Sequence, residues 1–315
     1  MRPVLADPAN AVEWLDSVLD CLFEEKTVTI DIIPTSAKLG AEIRGVDPAT
    51  DIDPDTQKRL RAALADHSVL LIRGRPLAVD DQIRFAQCFG DLGAIADTLL
   101  GLGKRDYQPD EIPECVSVIS NIKVDGKKIG GLGDGECFWH TDSGFAETPP
   151  SASVLHSVEL PANGGNTAFL DMVDALDTLP ADLRSRIEGH SIRHSQVYDS
   201  SGAKRPAYDE VSDITQAPGP EHPIIRTIPE SGQQCLYLGR RLGAYIVGLP
   251  VEESEALLDA LWEHTVQDYR VWSHKWGLGD TLIWDNRVTM HHRDPFDPAD
   301  RRRLHKVQVA GERPV

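Results

Sequence analysis

Near the N-terminus, Leu15, Val18, Leu19 and Leu22 recur at helical spacing, so residues 10–24 are predicted to form an amphipathic helix whose apolar stripe needs a partner surface. Residues 27–33 (TVTIDII) alternate with the two-residue period of a strand. Asp53-Pro54 is a helix start signal, because the acid can cap and the proline fits the first turn, and it predicts a helix over 54–66. SVLLIRG at 68–74 reads as a buried strand. Asp80 is expected to cap a third helix that runs to Phe89 and stops at Gly90.

From about residue 115 the pattern changes to short runs of Val, Ile and Leu broken by Gly, Pro and Asn. The runs fall at 115–120, 152–158, 166–171, 223–228, 234–238, 270–274, 280–285 and 303–309. Many short strands separated by turn signals predict a mostly β protein with flanking helices, built as a sandwich or jelly roll. Helical inserts are expected near 173–188 and after Pro250, where Leu257, Leu258, Leu261 and Trp262 share a face. The organisation expected is an N-terminal helical extension over 1–26 and a single domain over 27–312.

Composition narrows the partners. The 315 residues are 41% hydrophobic and 26% charged, which is ordinary for a globular chain able to bury a large core. Thirty-two Lys and Arg against 50 Asp and Glu give a net charge of −18, which repels polyanions, so neither nucleic acid nor an anionic membrane is an expected partner. No window approaches the roughly 18 apolar residues of a membrane span, and the N-terminus carries no basic stretch leading into an apolar run. A soluble, cytoplasmic protein is expected. The five cysteines are widely spaced without a C-x-x-C pair, as suits buried free thiols. No G-x-G-x-x-G or P-loop pattern supports a nucleotide fold, and no internal repeat is visible.

The stretch richest in chemistry is Trp139-His140-Thr141-Asp142. On an extended strand His140 and Asp142 lie two apart and project to one face, where both can ligate one metal. His291, after the run Trp284-Asp285-Asn286-Arg287-Val288-Thr289-Met290, follows about 150 residues later, a separation that suits a late strand returning beside an early one. Two histidines and a carboxylate make the facial triad of non-haem Fe(II) oxygenases. H-x-D alone is weak, because most histidines beside strands are core or surface residues. His292 competes with His291 for the third position.

Four blocks in order change that balance: W-H-T-D-x-x-F at 139–145, G-G-N-T at 164–167, W-D-N-R-x-T-x-H at 284–291 and R-R-x-L-H-K at 301–306. Together they resemble the TauD/TfdA family of Fe(II)- and 2-oxoglutarate-dependent dioxygenases over roughly residues 27–312. Thr167 stands 27 residues after His140 and Arg302 stands 11 after His291, both at the family spacing, and that register favours His291 over His292. The resemblance implies a double-stranded β-helix (jelly-roll) core, iron ligation by His140, Asp142 and His291, and 2-oxoglutarate held by a paired contact from Arg302 with a hydrogen bond from Thr167. Arginine's planar fork suits a buried carboxylate. Arg301 and Arg303 alternate with Arg302 and are expected on the opposite face, solvated or paired with surface acids.

The activity implied is hydroxylation of a small anionic organic substrate with consumption of O2 and release of succinate and CO2. The same oxidising chemistry ending in desaturation, cyclisation or epimerisation is an alternative, as is a jelly-roll protein that binds metal or 2-oxoglutarate without turnover. Because Asp142 is present, the open halide position of related halogenases is not expected. Lys306, four residues past Arg302, stands where a taurine-type enzyme grips its substrate's anion; the competing role is a side chain reaching to solvent at the barrel rim. Phe145 is a candidate for the substrate cavity or for the core. The glycine-rich segment Gly93–Gly135 reads as a lid or pocket loop. Tyr107 is a weaker candidate, and Arg240 is not assigned to the site. The N-terminal helix and the family habit point to a homo-oligomer, a dimer or tetramer.

Overall fold

The computed structural model describes residues 30–96 and 111–315. Twelve strands form its two main sheets. In chain order they are β1 (Asp31–Pro34), β2 (Ala41–Arg44), β3 (Val69–Ile72), β4 (Val116–Ser120), β5 (Gly131–Leu132), β6 (Cys137–His140), β7 (Ala152–Glu159), β8 (Thr167–Asp171), β9 (Val271–His274), β10 (Thr281–Asp285), β11 (Thr289–Arg293) and β12 (Arg303–Val309). The larger sheet has the order β1-β2-β3-β10-β7-β12-β4-β5 and the smaller β9-β8-β11-β6. Neighbours are antiparallel except β2 with β3 and β4 with β5.

Strand alternation divides the smaller sheet's side chains between two environments. Phe169 of β8 pairs in register with His291 of β11, and the next pair is Leu170 with Met290. Phe169 packs in one cluster with Leu71, Leu155, Leu282, Trp284 and Leu304 of the larger sheet, so it and His291 face the space between the sheets. Leu170 and Met290 face the opposite way. They join a core under the helices Met172–Asp177 and Val251–Thr265, through Met172, Leu257, Leu258 and Leu261.

The outer face of the larger sheet is covered by the helices Pro54–His67 and Val79–Ala86, whose Leu60, Leu64 and Phe85 pack on Ile72, Val154, Ile283 and Val307. The first of these begins as its sequence predicts. Asp53 is the N-cap, its carboxylate accepting from Thr56 N at 2.9 Å, with proline in the first turn.

Several expectations need correction. The predicted helix at 10–24, the extension 1–26 and Tyr107 lie outside the described residues. Asp80 is not a cap, because extended Ala78 occupies that position without a side-chain bond, and Asp80 and Asp81 instead place charge in the first turn. The insert at 173–188 is two helices, Met172–Asp177 and Ala181–Ile187, since Pro180 disfavours helix in the residue before it. The run 223–228 switches partners at Ile224, separating strand Glu221–Pro223 from Ile225–Thr227. Gly93–Gly135 is not simply a loop, because β4 within it is buried and pairs with β12.

His156 of β7 and His305 of β12 are cross-strand partners and both are buried. Burial holds each well under the ordinary imidazole range, at about 4. A folded-state value depressed below the unfolded one means that protons bind the unfolded chain first, so this contribution to stability is complete above about pH 6.5 and is lost as pH falls towards 4. Urea unfolding should therefore show a lower midpoint at pH 5 than at pH 7, and replacing both histidines by glutamine should shrink the difference. A midpoint independent of pH over that range would contradict the assignment.

Candidate active site

The W-D-N-R-x-T-x-H block is the corner by which the chain leaves the larger sheet at β10 and enters the smaller at β11. Each residue has a physical task. Trp284 is fully buried and lies 4.9 Å, ring to ring, from His291. Asp285 is chelated by Arg287, at 2.8 Å from Nη2 to Oδ2, which keeps the turn tight. Thr289 Oγ1 donates to Asp285 O at 2.7 Å.

Asn286 reaches across to the early metal-motif strand. Its Oδ1 accepts from Asp142 N at 2.9 Å, and its Nδ2 donates to Asp142 O at 3.0 Å and to Pro150 O at 2.9 Å. It has no exposed surface.

His140 and His291 are register partners on β6 and β11, with ring centroids 4.1 Å apart. The extended-strand expectation for Asp142 is wrong in detail. β6 ends at His140, Asp142 lies in the turn that follows, and Ser143 takes a left-handed conformation at φ 50°. Asn286, not strand alternation, holds Asp142 in place. The outcome is the grouping anticipated: one donor atom each from His140, Asp142 and His291 lie within 4.8 Å of one another, all three residues being buried, and they are the one such group among the described residues.

The donor chemistry fits a cation. His140 Nδ1 donates to Phe138 O at 2.6 Å, which leaves the Nε2 lone pair turned inward. The Nε2 atoms of His140 and His291 each lie 3.8 Å from Asp142 Oδ1, too far for a hydrogen bond, so the three donors face a common point without satisfying one another. Burial lowers the pKa of both imidazoles, His291 to about 4, so both are neutral and ready to ligate at neutral pH. Burial alone would raise the Asp142 carboxyl, but the Lys306 ammonium outweighs it and holds the acid well below the usual carboxylate range.

Lys306 does not reach to solvent. Its Nζ donates to both Asp142 oxygens, at 2.8 and 2.9 Å, and Ser153 Oγ donates to Oδ2 at 2.9 Å. His292 turns away from the group, stacking near Trp139 and lying 2.7 Å through Nε2 from Glu136 Oε1.

Arg302, just before β12, carries a buried guanidinium. Nη2 donates to Gly165 O at 3.1 Å, Nε has no partner, and no carboxylate pairs with it among the described residues. Burial, reinforced by neighbouring Arg293, lowers its pKa to about 9, still charged at neutral pH. The G-G-N-T block makes room for it: Gly165 sits at φ 64°, and a Cβ there would come within 3.0 Å of Arg302 Nε. Thr167 is buried on β8, and its hydroxyl accepts from Trp276 Nε1 at 3.0 Å, which leaves the hydroxyl proton free to donate. An unpaired buried cation fits a carboxylate such as that of 2-oxoglutarate, and Thr167, two residues past the Gly165 that Arg302 bonds, offers a hydroxyl donor. Arg301 lies outside, paired with Glu159 as expected, whereas Arg303 is half-buried and its Nε lacks a partner.

A cavity of about 300 Å³ opens beside Asp142 and Lys306, walled by Ile119, Leu132 and Phe145 and by the cations Arg205 and Arg240. Phe145 is both buried and on this wall. Sequence reasoning gives Asn286 and Ser153 no role and names Arg240 without assigning it to the site. Of these only Asn286 lies in one of the four blocks, W-D-N-R-x-T-x-H, and its hydrogen bonds give its place there a reason.

Fold and donor set define a mostly β protein with the His-Asp-His site of a non-haem iron oxygenase. Residues 31–308 match the family described as taurine catabolism dioxygenase TauD, TfdA family, and the chain belongs to that family. It is 31% identical over 283 residues to the alpha-ketoglutarate-dependent 2,4-dichlorophenoxyacetate dioxygenase of Cupriavidus pinatubonensis, covering 87% of this chain and 95% of that one. It is 33% identical over 285 residues to the (S)-phenoxypropionate/alpha-ketoglutarate-dioxygenase of Delftia acidovorans, covering 85% and 91%. A crystal structure of a taurine dioxygenase from Burkholderia xenovorans superposes with a TM-score of 0.71 at 31% identity, covering 91% and 92%.

Removing Asn286 should loosen Asp142 without touching a donor atom. Asn286→Ala is expected to lower folding stability by roughly 2–5 kcal/mol, because three buried backbone groups lose their partner, and to weaken Fe(II) binding by about 10–100-fold. Calorimetric Fe(II) titration under nitrogen beside urea unfolding would check both; unchanged metal affinity would contradict the role.

Proposed function

We propose that this protein is an Fe(II)- and 2-oxoglutarate-dependent dioxygenase that hydroxylates a small anionic organic molecule. The observation that carries this reading is that one two-sheet core holds three buried, mutually unsatisfied donors and, just before β12, a buried guanidinium with no acid partner among the described residues. The carboxylic-acid substrates named for the two relatives support an anionic substrate.

In this reading His140, Asp142 and His291 hold Fe(II). Lys306 and Ser153 fix the orientation of the Asp142 carboxylate, and Asn286 fixes its backbone. Arg302 and Thr167 bind the distal carboxylate of 2-oxoglutarate. Iron, 2-oxoglutarate and O2, when bound, supply an oxidation of the substrate coupled to release of succinate and CO2. Phe145, Ile119 and Leu132 exclude water from the reacting carbon, and the cations Arg205 and Arg240 on the same wall favour an anionic substrate.

The two stacked sheets with antiparallel neighbours support a double-stranded β-helix, and the cluster spanning them supports one domain over 27–312. No helix among the described residues is long and apolar enough to cross a membrane. The free thiols of Cys88, Cys115, Cys137 and Cys235 support a reducing cytoplasmic setting.

The test is oxygen consumption and succinate release with Fe(II), 2-oxoglutarate and a panel of aryloxy acids, sulfonates and amino-acid-derived acids. Wild type should turn over at least one acid with succinate formed in step. His140→Ala and Asp142→Ala should each abolish Fe(II)-dependent turnover, and Arg302→Leu should raise the 2-oxoglutarate requirement by about tenfold or more. Full turnover in both ligand variants would refute the metal site, and 2-oxoglutarate binding with no oxygen uptake across the panel would leave only a binding role.

A further inference from the structure

The cavity beside Asp142 carries four cationic side chains, Lys204, Arg205, Arg240 and Lys306, and three of them are already engaged. Lys306 is held by both Asp142 oxygens. Lys204 Nζ donates to Tyr208 O at 2.8 Å at the exposed edge. Arg205 donates to the carbonyls of Gln196 and Tyr198 and lies 4.4 Å above the Phe145 ring. The other acid on this wall, Asp199, caps its own turn by accepting from Ser201 and Ala203.

Arg240 differs from these three. Its backbone bridges to His140, which anchors it beside the metal-motif strand, and its guanidinium lies 6.0 Å from the Phe145 ring centroid on the same cavity wall. One nitrogen donates to Tyr198 O, Nε is buried without a partner, and no carboxylate forms an ion pair with it among the described residues. Burial, then the charge of Arg205, lowers its pKa to about 10, which leaves it protonated at neutral pH. Asp199 and Asp142 act on this charge only from a distance, and a desolvated cation with no carboxylate in direct contact is costly, a cost that a ligand of opposite charge would relieve.

We propose that Arg240 is the specificity-determining residue that holds the acid group of the prime substrate, presenting its planar fork to a carboxylate or sulfonate while Phe145 packs on the substrate's apolar body. The proposal rests on the reading of this cavity as the substrate pocket. It moves the anion grip away from Lys306, whose ammonium is occupied by Asp142, to a residue 66 positions earlier in the chain. A guanidinium can make two parallel hydrogen bonds to either acid, whereas a neutral analogue of the same shape would gain only the apolar contacts.

The experiment is anaerobic titration calorimetry on the enzyme loaded with Mn(II) and 2-oxoglutarate, with phenoxyacetate, benzenesulfonate and neutral phenoxyethanol as probes. Wild type should bind at least one of the two acids more tightly than phenoxyethanol. Arg240→Gln should weaken that acid by about tenfold or more, the range of a charge-assisted hydrogen bond, while phenoxyethanol and 2-oxoglutarate affinities stay unchanged. Arg240→Lys, which keeps the charge and loses the fork, should fall between the two and serves if the glutamine variant does not fold. Equal losses for acid and neutral probes, acid binding indifferent to both substitutions, or wild type binding neither acid would overturn the proposal. Wild type that takes up neither Mn(II) nor 2-oxoglutarate would sink the dioxygenase reading with it; normal uptake of both with Arg240-independent acid binding would sink this proposal alone.

Discussion

The amide of Asn286 is the tie on which the site depends. It sits in the corner that carries the chain from the larger sheet to the smaller, and it bonds the backbone of Asp142 on both sides of that residue. Without it Asp142 would belong to a turn beyond the end of β6, followed by a left-handed serine, with nothing in strand geometry to aim its carboxylate. With it, the position of the late histidine and the position of the early acid are set by one side chain. Pairing of β6 with β11 within the smaller sheet then sets His140 and His291 in register, and that sheet packs on the larger one through Phe169 and Trp284.

A second theme is unbalanced buried charge. Around the donor group the protein buries or half-buries several cations, and they differ in how their charge is met. Lys306 is met by Asp142, and that pairing keeps the carboxylate ionised against the cost of desolvation. Arg302 and Arg240 are met by backbone carbonyls alone, each with an unbonded Nε. Arg302 lies just before β12, against Gly165, and Arg240 lies on the cavity wall. Two small anionic molecules are what such an arrangement lacks, a keto acid and an acidic substrate.

Much of this was legible before any coordinates. The helix after Asp53-Pro54, the central buried strands and the four blocks were readable because caps, periodicity and fixed spacing are local properties. Arg302 and His291 could be named because their blocks carry them in register. Asp142 was named for a partly mistaken reason: alternation along a strand was assumed to continue through a residue that lies in a turn. Lys306 was read as facing either substrate or solvent, and its true partner, 164 residues away in sequence, leaves no mark on the residues around it. Arg240 stays unassigned in the sequence for the same reason. It lies in a loop, where the direction of a side chain follows from tertiary contacts and not from any period.

The most direct test of the central claim is a crystal structure of the anaerobic protein soaked with Fe(II) and 2-oxoglutarate. The account predicts one iron per chain, bonded by Nε2 of His140, Nε2 of His291 and one Asp142 oxygen, with the keto acid completing the coordination and its far carboxylate on Arg302. Iron bound through His292, or lying away from the point that the three donors share, would contradict it.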